Sequence, residues 1–235
     1  MENENPFEWS SRVRTVDSKE WVRAFILGKE RQWSHEGRRK SHEDRGRFNE
    51  RVDIQGAFGE LSLYEALKEA GVQNGIQYMR RHLFMTDTQM EKEADEPDAV
   101  VKGKGFDAKT FDWDPKKRYF AINQRKHEKL TDSCDYYYCV LAVPFGRESL
   151  EIIVPYEDVS LWTPKELGDY GSPSLNEPLS IFLRSYWGEE VNEERFRQRY
   201  SRKDIKRTLV KSSVKEQMIE EFPDPLASRI SNRME

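Results

Sequence analysis

The chain has 235 residues, enough for one sizeable domain with appendages or for two small ones. Charged residues make up 35% of it and the hydrophobic set 36%, so a modest core lies under a heavily solvated surface, and an aromatic share of 12% excludes wholesale disorder. A net charge of −4 excludes a globally basic nucleic-acid binder but leaves room for a local basic face. The start, Met1-Glu-Asn-Glu-Asn5, is acidic and unlike a signal peptide. No apolar run approaches the roughly 20 residues that span a bilayer, so a soluble, cytoplasmic protein with no membrane partner is expected.

In chain order, Asp17-Ser18 caps a helix in which Trp21, Val22, Phe25 and Ile26 share a face. After Gly28, residues 31–51 carry both signs of charge, with Arg38, Arg39 and Lys40 as candidate phosphate contacts on an otherwise solvated helical arm. A stronger helix runs from Ile54 to Ala70, with Ala57, Leu61, Tyr64 and Leu67 at helical spacing and Gly71 as its stop. Gly56 and Gly59 sit in its first turns, where glycine marks the close approach of another part of the chain. A strand is read within residues 75–94, around Tyr78 and Leu83-Phe-Met85.

Two short apolar runs follow, Ala99–Lys102 and Gly105–Phe111, joined through Gly103 and Gly105. Paired as a hairpin, they bring Asp98, Asp107 and Lys109 towards one end of a sheet. Asp107 and Lys109 then share one face, and Phe106, Ala108 and Thr110 the other. Two carboxylates and a main-chain carbonyl suit Mg²⁺ or Mn²⁺, which take hard oxygen ligands and keep several waters. An adjacent ammonium suits the orientation of a water or the offsetting of charge on phosphorus.

Tyr119–Ile122 is a short apolar segment, and Asn123 caps a polar helix from Gln124 to Leu130. Within that helix His127 reads as a surface histidine. Cys134–Val143 and Leu150–Val154 are buried strands, each stopped by a proline. Cys134 and Cys139 read as core thiols on opposite faces of one strand. Residues 177–221 read as helices, and the stretch 195–211 is the most basic in the chain: Arg197, Arg199, Arg202, Lys203, Lys206 and Arg207 lead the candidate nucleic-acid contacts. The order of elements predicts a mixed α/β sandwich. It divides into an N-terminal helical arm (1–49), a core (50–165) and a C-terminal helical extension (166–235).

Pro97-Asp98 followed by Asp107-Ala108-Lys109 resembles the signature of the PD-(D/E)xK nuclease superfamily. Gly56-Ala-Phe-Gly59-Glu60 is similar to the Gly-x-x-Gly-Glu helix that many members place upstream. The resemblance spans roughly residues 50–160 and implies a restriction-endonuclease-like αβββαβ core with a mixed central sheet. It also implies metal-dependent hydrolysis of DNA, of restriction or phage-defence type, with Asp98, Asp107, the Ala108 carbonyl and Glu60 around the metal. Lys109 becomes the water-orienting residue and Gln124 a possible accessory, without the tyrosine of the Gln-x-x-x-Tyr variant. A homodimer is a further expectation of the resemblance, and the slight negative charge and the helical tail suit a partner protein on the C-terminal helices. Two alternatives stay open: a non-catalytic nucleic-acid-binding or assembly protein on a similar scaffold, and a junction or RNA nuclease.

Overall fold

The computed structural model describes residues 6–36, 46–73, 96–113, 119–166, 173–189, 191–210 and 217. β1 (Ser11–Thr15) leads into two long helices, α1 (Ser18–Glu36) and α2 (Gly46–Glu69). β2 (Ala99–Val101) and β3 (Lys104–Asp112) come next, then β4 (Tyr119–Asn123) and the short helix α3 (Gln124–Lys129). They are followed by β5 (Tyr136–Ala142), β6 (Glu148–Pro155), α4 (Tyr156–Ser160), β7 (Thr163–Lys165) and β8 (Ser174–Pro178). The helices α5 (Leu179–Tyr186), α6 (Glu193–Arg197) and α7 (Arg202–Val210) end the series.

The result is an α/β protein built on a mixed five-stranded sheet, in the order β1-β6-β5-β3-β2. All of its pairings are antiparallel except β3 with β5, which are parallel. A parallel neighbour needs a crossover connection, and here that connection carries β4 and α3. β4 leaves the main sheet and pairs with β8, which with β7 makes a second sheet of three strands.

Strand alternation sorts the core into two layers. Tyr138, Val140 and Ala142 of β5 join Trp21, Phe58 and Leu61 of α1 and α2 on one face. Tyr137, Cys139 and Leu141 join Phe120, Trp162 and Phe182 on the other. All of these side chains are at least nine-tenths removed from water, and each contributes about 1.5–3 kcal/mol of apolar burial for the larger aliphatic and aromatic groups.

Local chemistry explains the helix starts and the hairpin. Asp17 Oδ1 accepts from the Lys19 amide at 2.8 Å, and Glu20 Oε1 accepts from the Asp17 amide at 3.0 Å, a reciprocal capping box for α1. At the β2–β3 turn Lys102 has φ 51° and Gly103 φ 77°. Two consecutive positive φ values define the type I′ turn whose twist matches the strands it joins.

Several expectations change. α1 does not end at Gly28: a Cβ there would lie 2.7 Å from the Ile54 backbone, so the glycine is where α1 and α2 cross. α2 begins well before Ile54, which places Gly56 and Gly59 in its middle. Cys134 precedes β5, and it packs in the same apolar layer as Cys139 instead of on the opposite face. Residues 174–178 form a strand ahead of the helices read from 177 onward. Sheet pairing crosses both expected boundaries, because β1 pairs with β6 and β8 with β4. The strand read within 75–94 and the bases Arg38, Arg39 and Lys40 lie outside the described residues, as does most of 211–221.

Candidate functional site

The β2–β3 hairpin pairs Ala99 with Phe106 and Val101 with Lys104, so the same register sets Asp98 opposite Asp107. β2 stops there, and the Asp98 side chain takes the next donor of the ladder: its Oδ2 accepts from the Ala108 amide at 2.7 Å. Asp98 is 4% exposed and Asp107 0%. Lys109, two residues on along the strand, contacts Asp107 Oδ2. Its ammonium is also 3.4 Å from the Ala108 carbonyl and lies over the Tyr137 ring.

A second cation reaches the same carboxylate from a different element. Lys126 of α3 places its ammonium 3.0 Å from Asp107 Oδ1. Asp107 Oδ1 is buried, and among the described residues Lys126 is its ion partner. Burial works against the Lys126 charge, but Asp107, then Asp98 and Glu60, outweigh it and hold the ammonium above the usual lysine range. Three carboxylates therefore act on one lysine.

The Glu60 charge acts on Lys126 from α2, which lies close against the Thr110 face of β3. A Cβ on Gly59 would sit 2.1 Å from Thr110 Oγ1, so only glycine permits the approach. Among the described residues no three His, Cys, Asp or Glu side chains gather into a metal cluster. A metal held here would take Asp98, Asp107 and the Ala108 carbonyl, with Glu60 adding its charge. The donor set fits a hard divalent cation, being all oxygen and including the buried Asp107 Oδ1.

Other candidates fall elsewhere. Gln124 donates to Glu128 Oε1 at 2.9 Å along its own helix. His127 is not at the surface. It is 5% exposed, with Nδ1 2.9 Å from the Tyr137 hydroxyl and Nε2 3.0 Å from Ser160 Oγ, and it stacks on Tyr156. Burial, with some help from the Asp107 charge, pushes the Cys134 thiol up to about 12, and both cysteines are free and buried.

Arg197, Arg199, Arg202, Lys203, Lys206 and Arg207 are exposed on and around α6 and α7. This segment is anchored beyond the other end of β5, where the Tyr200 amide donates to the Phe145 carbonyl. Asp107 lies across from Tyr137 near the start of that strand, and Tyr137 to Ala142 alone spans about 17 Å at ~3.3 Å per residue. Among the described residues, the cations that meet Asp107 are instead Lys109 and Lys126. Sequence reasoning missed Lys126, whose only local signal is its place three residues after the N-cap Asn123. No protein-family model, curated protein or solved structure matches this chain.

Proposed function

We propose that the chain is a metal-dependent endonuclease that hydrolyses DNA phosphodiester bonds through a PD-(D/E)xK-type site in a restriction-endonuclease-like core. The observation that carries this reading is the juxtaposition of Asp98, Asp107 and Lys109 at one end of the β2–β3 hairpin. The parallel β3–β5 pair with α3 in its crossover, and α2 packed against β3, support this reading.

Asp98, Asp107 and the Ala108 carbonyl would hold Mg²⁺ or Mn²⁺, with Glu60 adding negative charge nearby. Bound there, the ion would supply activation of water and neutralisation of charge on the phosphoryl oxygens. Lys109 orients the attacking water and stabilises the charge that grows on phosphorus. Water oxygen bonds to phosphorus as the bond to the leaving sugar oxygen breaks. One product keeps the phosphate, and the other takes a proton on its new hydroxyl.

Incubation with duplex, branched and single-stranded DNA, and with RNA, in Mg²⁺ or EDTA tests the proposal. Mg²⁺-dependent cleavage of DNA that disappears in Asp107→Ala is the expected result. Equal cleavage by that folded variant would sink the site assignment.

A further inference from the structure

We propose that Lys126 is a resident counter-cation of this site, which holds Asp107 Oδ1 until a divalent ion takes that oxygen and then meets the scissile phosphate. The inference rests on the nuclease reading above and adds a residue and an order of binding to it.

Each oxygen of the buried Asp107 carboxylate meets one ammonium: Lys109 at Oδ2 and Lys126 at Oδ1. The two contacts differ in kind. Lys109 makes an aligned hydrogen bond from the same strand, and its side chain is 19% exposed. Lys126 comes from a different element, at 3.0 Å from Oδ1, and its side chain is 41% exposed. An ammonium on a flexible four-carbon stem leaves such a contact readily. Its backbone stays in place, because the Lys126 amide donates to the Asn123 cap at 3.1 Å. The side chain can therefore swing while α3 remains docked.

Charge sets the order of events. The carboxylates that act on Lys126 repel an anionic phosphodiester, and a divalent cation held by Asp98 and Asp107 offsets that repulsion. Metal then precedes nucleic acid, and the displaced ammonium becomes available at the rim of the site when the phosphate arrives.

Mn²⁺ binding to the full chain, followed by electron paramagnetic resonance without nucleic acid, tests the exchange in the wild type, Lys126→Met, Lys126→Arg and Asp107→Asn. Lys126→Met should bind Mn²⁺ about tenfold more tightly, since a cation competing for the ligand oxygen is gone. Lys126→Arg, which keeps the charge, should stay near wild type. At saturating Mn²⁺, Lys126→Met should cleave DNA about 10²-fold more slowly. Mn²⁺ binding that depends on Asp107 but is unchanged or weakened in Lys126→Met would overturn this inference and leave the nuclease reading standing. No Asp107-dependent Mn²⁺ binding in either wild type or Lys126→Met would overturn both.

Discussion

Asp107 and Glu151 are both fully buried carboxylates on the same five-stranded sheet, and each is met by two cations. Glu151 belongs to the layer under α2: Arg12 Nε donates to it at 2.8 Å and Arg14 Nε at 2.5 Å. Each guanidinium is tied again, Arg12 to Glu69 and Arg14 to Glu20, both at 2.5 Å. Burial opposes the Arg14 charge, and Glu151 and Glu20 more than offset it. Asp107, on the other face, has flexible lysines, one of them half-exposed. A network in which each guanidinium bridges two carboxylates serves the fold. An open pair of ammoniums leaves a carboxylate free to change partners.

The sharpest way to break that comparison is to remove each acid in turn. Asp107→Ala should reduce Mg²⁺-dependent cleavage to background and destabilise the fold less than loss of Glu151 does, because Lys126 is 41% exposed and can turn to water. Glu151→Ala should cost about 3–5 kcal/mol in urea unfolding, since two buried guanidiniums lose their counter-charge. Similar losses of stability in the two variants would erase the distinction.

Gly59→Ala tests the packing of α2, which carries Glu60, against β3. The added methyl meets Thr110, so unfolding should become easier by about 1–3 kcal/mol and cleavage should fall as α2 moves away from β3. The smallest effect concerns pH. Burial lowers the His127 pKa below its ordinary 6.5, and Glu128 counters this only in part. The unfolded chain then takes up the proton first, so the stabilising contribution is complete above about pH 6.5 and erodes as pH falls below it. Urea melts at pH 7.5 and 5.5 should show this loss in the wild type, and His127→Gln should lack that component.

The hairpin carrying Asp98, Asp107 and Lys109 was legible because its determinants are local. Positive-φ turn chemistry sets the register, and the two-residue period of a strand sets which side chains share a face. Glu60 entered through a resemblance, because nothing in the spacing of α2 says which strand the helix will pack on. β1 escaped notice altogether. Ser11-Arg-Val-Arg-Thr15 reads as polar, and becomes a strand of the main sheet where Arg12 and Arg14 meet Glu151 across the β1–β6 pairing.

Sequence alone therefore determined the alternation of apolar and polar positions, the hairpin and the pair of carboxylates at its end. Tertiary structure decided which cation meets which carboxylate, because an ion pair depends on distance in space and Lys126 lies in the crossover connection between β3 and β5. The same packing separates the closed Glu151 cluster from the open Asp107 site. The first draws its cations from an edge strand paired across the sheet, and the second draws one of them from a short helix at the rim.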